Sequence, residues 1–293
     1  MPRETPLAPD TLLLRYWNCS ARGMLIRYMA YDAALDFAEE IVSVEETFVS
    51  GSWASKEKFL PEFSGPLKAL PVVEHNGEII NQTSACTQYV AEIAGFMPEA
   101  PADRAKAIMI SSHIYEDIQV PIWDSFWGWK DWERDVLGGF GGPSSGLALK
   151  ISNLEQILAT STSGFAVGSQ ISMADFSIFY VVESLTRRML EVASGPDAVA
   201  MLFGDKPAIA QHQEMMQMQK DMMQQAQNMM AAMSQPQEEE GIKVDGISSS
   251  FAEAEPTEKE FQDQTAAEVD IDTIDDLHDL SMSALRPEIL AKF

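Results

Sequence analysis

Cysteine is scarce: the 293 residues hold two, Cys19 and Cys86. One pair makes no disulfide framework, and no Cys/His spacing reads as a zinc site, so a reducing, cytoplasmic setting and no metal are expected. Basic residues are scarce too. Twenty Lys and Arg stand against 45 Asp and Glu, a formal charge of −25. Such a surface repels nucleic-acid phosphates and anionic lipid headgroups, so neither is expected as a partner. An anionic ligand would need a locally basic pocket. Long apolar runs are missing. Leu12-Leu13-Leu14 is too short for a signal peptide, and no stretch approaches the roughly 20 apolar residues of a membrane span.

What is present falls into three textures. Up to about residue 96, strand-like and helix-like segments alternate. Thr11–Tyr16 reads as a buried strand, Gly23–Ala38 carries apolar residues at helical spacing, and Ile41–Val44 reads as a second strand. Leu70–Glu74 and Glu78–Ile80 flank His75-Asn76-Gly77, and Asn-Gly is a strong hairpin signal. Helical spacing returns from Ser84 to Ile93. A βαβ unit followed by a hairpin and a helix is the order of a thioredoxin-like domain. From about 101 to 210 the chain reads as nearly all helix: Ala102–Ile122, Asn153–Leu158 and Ser172–Leu190, with a Gly-rich breaker at 138–143. Methionine pairs then recur every seven residues at 215/216, 222/223 and 229/230, along one side of a helix. After Pro236 the chain is polar and acidic, with about 16 Asp/Glu against about 4 Lys/Arg from 235 to 293. That composition buries too little apolar surface to offset ordering entropy, so disorder is expected there.

Three motifs carry a resemblance. Leu13-Leu14-Arg15-Tyr16-Trp17-Asn18, followed by Arg22 and by Ile26-Arg27-Tyr28, resembles the opening of the sigma-class glutathione transferases. Leu70-Pro71-Val72-Val73, a turn, and Asn81-Gln82-Thr83-Ser84-Ala85 resemble that family's Leu/Ile-Pro-Val/Ile-Leu strand and its Gln-Ser-x-Ala helix start. Gly164 to Phe176, with Ser172-Met173-Ala174-Asp175-Phe176 at its end, is similar to a segment of the family's helical domain. Together the motifs span roughly residues 11–210.

The resemblance implies a thioredoxin-like α/β domain (8–95) and an all-α helical domain (101–215), to which residue spacing and composition add a Met-rich helical extension (216–234) and an acidic disordered tail (235–293). It implies glutathione as co-substrate, an apolar electrophile as second substrate, and a homodimer. The implied chemistry is attack by the glutathione thiolate, leading to conjugation, isomerisation or peroxide reduction. A thiol's ordinary pKa is ~8.5, and a donor aimed at the sulfur lowers it. Tyr16 would supply that donor, with Arg22 favouring negative charge nearby. The backbone of Leu70, before a cis Pro71, would pair with the cysteinyl part. Gln82 and Thr83 would seat the γ-glutamyl carboxylate at a helix start, where free N–H groups and the positive dipole end favour anions. Trp53 and Lys58, with Lys56 as the rival lysine, would hold the glycine end. A non-catalytic scaffold with a partner-binding tail is the alternative.

Other features read as structure. Ser172-x-x-Asp175 has the form of a capping box. Trp123, Phe126, Trp127, Trp129 and Trp132 would form either a wall for a flat substrate or a helical core and dimer contact. The methionine stripe offers a soft apolar face to a partner helix or to the protein's own helical domain.

Overall fold

The computed structural model describes residues 7–43, 47, 57–126, 130–138, 146–191 and 202–234. Trp53, Lys56, Trp127, Trp129 and the acidic tail from 235 lie outside these residues.

The first half is a four-stranded mixed sheet with helices. Strand β1 (Leu12–Trp17) pairs in parallel with β2 (Phe37–Val42) and antiparallel with β3 (Val72–His75), which pairs antiparallel with β4 (Glu78–Asn81), giving the order β2-β1-β3-β4. Helix α1 (Met24–Asp32) makes the crossover that a parallel pair requires. It is shorter than the sequence predicts, because the chain turns through Ala34 at φ 49°. β2 correspondingly starts at Phe37 rather than Ile41. Two acids in that strand explain the difference. Glu39 meets Arg27 at 2.6 Å and Glu40 meets Arg15 at 2.7 Å, so charges that argue against a strand are neutralised by buried arginines. The β3–β4 turn places Asn76 at φ 51° and Gly77 at φ 83°, the left-handed pair expected of Asn-Gly. A 3-10 turn (Glu57–Phe59) and a short helix α2 (Pro61–Ser64) precede β3, and α3 (Thr83–Ile93) follows β4.

The second half is helical. α4 (Pro101–Ser112) opens on a proline at its first position, where the missing N–H costs nothing. It runs on through a wider π-helical stretch (His113–Gln119) into α5 (Val120–Phe126), where the sequence predicts one regular helix. A second π-helical segment (Trp132–Gly138), α6 (Leu147–Ala159), α7 (Met173–Glu191) and α8 (Pro207–Ser234) complete the described residues. α8 is one continuous helix, so the boundary drawn at 215/216 falls inside it. Its start is pinned by Glu155, whose carboxylate accepts the amides of Ala208 (2.9 Å) and Ile209 (2.8 Å).

Both halves share one apolar core. α1 packs on α3 and α7, and α4 packs on α7. Half of the capping box is present: Asp175 takes the Ser172 amide, but the Asp175 amide goes to the Ser172 carbonyl (2.9 Å) and the Ser172 hydroxyl donates instead of capping. Asp175, fully buried, accepts Ser172 N and Ser172 Oγ (2.8 Å each), Ala166 N (2.7 Å) and His212 Nε2 (3.0 Å), so one carboxylate ties the start of α7 to the preceding loop and to α8. The methionine pairs split between inside and outside. Met216 is buried while Met222 is exposed. Trp123 and Trp132 pack against the helical core.

Candidate active site

The sheet register builds one end of the site. Arg15 lies opposite Val72, and Val72 lies opposite Asn81. One step beyond these pairs stand Tyr16 on β1, Pro71 just before β3 and Gln82 just after β4, so extending the register brings the three into a row. Three segments distant in sequence therefore end side by side, and helix α3 starts from that row. The Leu70–Pro71 bond is cis, as the resemblance implied.

Tyr16 is the buried member, 1% exposed. Its hydroxyl accepts the backbone amide of Arg22 at 3.0 Å, which leaves its own proton to give. The loop to α1 is shaped around the ring. A Cβ on Gly23 would stand 2.6 Å from Tyr16 Cδ1, so only glycine fits there. Arg27 stacks at 5.9 Å from the ring centre and Trp17 lies at 5.4 Å. Burial, with Cys19 beside it, pushes the phenol well above the usual tyrosine range, against the smaller opposing effect of the Arg22 amide. The group is thus kept as a hydrogen-bond donor rather than a phenolate.

Arg27 is itself buried and fully engaged. It donates to Glu39, to Cys19 O (2.9 Å) and to Trp17 O (3.3 Å), fixing the loop that follows Tyr16. Tyr180 of α7 holds the same loop from the helical side, with its hydroxyl on the carbonyls of Ser20 and Ala21. Arg15 points to the other face and joins Glu40 and Glu74.

At the far end, Gln82 has φ 79° and ψ 125°, a conformation costly for a side-chain-bearing residue. It turns the chain sharply from β4 into α3, so the first amides of α3 face outward without a side-chain cap. Thr83 is buried, and its Oγ1 accepts the hydroxyl of Tyr115 at 3.3 Å. Arg22 places its guanidinium 5.8 Å from the Tyr115 ring. A continuous path therefore runs from Tyr16 through Arg22 and Tyr115 to Thr83. An open space lies along it, lined by Arg22, Leu25, Thr83, Ser84 and Tyr115 among others. Tyr16 and Leu70 do not line that space, and Tyr16 is coupled to it through Arg22.

Lys58 is exposed on the 3-10 turn, where its carbonyl accepts Ser64 Oγ at 2.7 Å, and it does not line this space. Trp53, its expected companion, lies outside the described residues. The sequence reading missed Tyr115 and Tyr180. Both are aromatic positions on helical faces, which look like ordinary packing until the two halves are assembled. Cys86 is buried under the row, with its thiol pushed up to about 12 by burial, so it is no nucleophile. Among the described residues no cluster of His, Cys, Asp and Glu could hold a metal, and no helix is long and apolar enough to cross a membrane.

Comparison with known proteins adds to this geometry. Residues 147–217 match the family described as "Glutathione S-transferase, C-terminal domain". A glutathione S-transferase of Antechinus stuartii is 24% identical over 182 residues, covering 62% of this chain and 77% of that one. A probable glutathione S-transferase of Solanum tuberosum is 27% identical over 104 residues, covering 34% of this chain and 48% of the relative. Among solved structures, the pi-class glutathione S-transferase of Onchocerca volvulus superposes with a TM-score of 0.55 at 16% identity, over 76% of this chain and 95% of that chain. A monomeric glutathione S-transferase of Necator americanus gives 0.54 at 18%, over 70% and 91%. At these identities the solved structures speak for the fold.

Proposed function

We propose that this chain is a glutathione S-transferase that binds glutathione along the row Tyr16–Pro71–Gln82 and activates its sulfur with the Tyr16 phenol, a reading supported by its similarity to that family. The row set by the strand register is the observation that carries the reading. It brings a protonated, preoriented hydroxyl to one end of a path whose other end is a helix start with outward amides.

The steps follow from these groups. The γ-glutamyl carboxylate takes the place of the Tyr115 hydroxyl on Thr83 and meets the amides of α3, where Arg22 adds positive charge. The backbone of Leu70 pairs with the cysteinyl unit. The thiol proton leaves to solvent, and the thiolate accepts the Tyr16 Oη–H. That hydrogen bond stabilises the anion and lowers the thiol pKa without proton transfer to the phenol. The sulfur lone pair then attacks an apolar electrophile. A C–S bond forms, and in a substitution the leaving group departs with its electron pair. Lys58 with Trp53 holds the glycine end. A sigma-like class, a homodimer, a cytoplasmic setting and reactions extending to isomerisation or peroxide reduction belong to the same proposal, as does a protein partner for the acidic tail.

One observation favours a second reading, in which the fold serves as a scaffold without turnover. Tyr16 is almost fully buried and the Tyr115 hydroxyl already covers Thr83. Turnover separates the two. The full chain is assayed with glutathione and 1-chloro-2,4-dinitrobenzene beside Tyr16→Phe. Loss of one donor at a developing anion is expected to lower kcat by about 10²-fold. Equal turnover in both proteins removes Tyr16 from the chemistry. A wild-type chain that is retained on immobilised glutathione yet never turns over supports the scaffold.

A further inference from the structure

A second cavity shares no lining residue with the space beside Thr83. It lies where α8 folds back over α1 and α7, and it is partly open to solvent. Its walls are aromatic and thioether: Tyr28, Tyr31, Phe176, Phe179, Met216 and Met223. Apolar walls alone would name no ligand. Two acceptors on the wall do, the Asp32 carboxylate and the Gln224 carbonyl, while the wall's cation, Lys220, is turned to the Tyr28 ring.

Asp32 is the last residue of α1, so its carboxylate stands at the negative end of that helix. Its side chain is drawn into the cavity wall, where burial raises its pKa and the Gln219 amide opposes this more weakly. That amide lies at 3.4 and 3.5 Å from the two carboxylate oxygens, at the limit of a hydrogen bond. Among the described residues Asp32 forms no ion pair. Lys220, the one lysine on the wall, aims its ammonium at the Tyr28 ring, 5.8 Å from the centre. A second acceptor joins Asp32: Gln224 Oε1 is buried without a hydrogen-bond partner. A half-buried carboxylate without a counter-ion and an orphaned carbonyl oxygen are both costly unless a donor arrives. Aromatic faces beside a carboxylate also favour a cation with an apolar body. The chain's charge of −25 adds a general attraction for cations.

We propose that this cavity is a second ligand site that takes a hydrophobic amine, with its aromatic or alkyl body against Tyr28, Tyr31 and Phe179 and its ammonium on Asp32 and Gln224. The site is independent of the thiol chemistry. It stands or falls whether or not Tyr16 activates a sulfur.

The test uses the full chain and three naphthalene probes of one shape: 1-naphthylmethylamine, 1-naphthylmethanol and 1-naphthaleneacetic acid, followed by calorimetry near neutral pH. The amine is expected to bind once per chain, about tenfold more tightly than the alcohol, with the acid weakest. Saturation with S-hexylglutathione should leave its affinity unchanged. Asp32→Asn should erase the preference of amine over alcohol. Met223→Lys places a competing ammonium on the half-buried wall and should weaken the amine at least tenfold, which gives a reading even where Asp32→Asn lowers stability. Equal binding of amine and alcohol to the wild type, displacement by S-hexylglutathione, absence of amine binding, or a preference that survives Asp32→Asn would each overturn the proposal.

Discussion

Replacing Asp175 by alanine should be among the most damaging single changes to this fold. The carboxylate is fully buried and accepts four hydrogen bonds, two on each oxygen. Alanine leaves Ala166 N–H, Ser172 N–H, the Ser172 hydroxyl and His212 Nε2 without their acceptor. Each buried donor stranded in this way costs about 1–3 kcal/mol. A plain sum overstates the loss, because the Ser172 hydroxyl can turn and the cavity can admit water. The expected loss is about 3–5 kcal/mol, well beyond the ~1 kcal/mol of an ordinary helix cap. Asp175→Asn should cost about half as much. Its retained oxygen can serve Ala166 and His212, its amide can donate to Ser172 Oγ, and only Ser172 N–H is stranded. Urea unfolding followed by circular dichroism, at one fixed protein concentration in case the chain associates, measures both. A loss below about 1 kcal/mol for alanine would refute the claim that this carboxylate joins α7, its preceding loop and α8.

Two further outcomes follow from the buried charges and phenols. Arg27→Ala should cost about 3–5 kcal/mol, because it leaves Glu39 buried without its cation. The double variant Arg27→Met/Glu39→Leu should lose less, and equal losses by denaturant titration would argue against the pair. Burial raises the pKa of Tyr16, Tyr28 and Tyr180, and pushes Tyr31 up to about 12. The unfolded chain releases these protons first, near pH ~10, so stability is full below that pH and falls as pH rises through it, by about 1.4 kcal/mol per pH unit for each tyrosine involved. A urea midpoint that stays level between about pH 9 and 11 would contradict this.

Much of the architecture is legible in local chemistry. Asn76-Gly77 announces the β3–β4 turn through its two left-handed residues, and the alternation before it announces the mixed sheet. Tyr16, Pro71 and Gln82 stand in three separate motifs, and only the strand register brings their ends together. The misplaced elements have long-range causes. β2 carries Glu39 and Glu40, which look like surface residues until Arg27 and Arg15 are brought to them by the fold. The π-helical stretch after Ser112 keeps an apolar spacing close to that of a regular helix, so periodicity does not reveal it. Within the site, Tyr115 meets Thr83 across 32 positions and Tyr180 meets Ala21 across 159, contacts that no local pattern encodes. The methionine pairs show the same limit. Heptad spacing identifies a face of α8, but only packing decides that Met216 turns inward and Met222 outward.

The pKa of glutathione's thiol while bound tests the central claim most directly, read from the ultraviolet absorbance of the thiolate across a pH series. Wild-type protein should hold it well below the ~8.5 of a free thiol, and Tyr16→Phe should return it toward that value. A bound thiol that titrates alike in the two proteins would contradict the account.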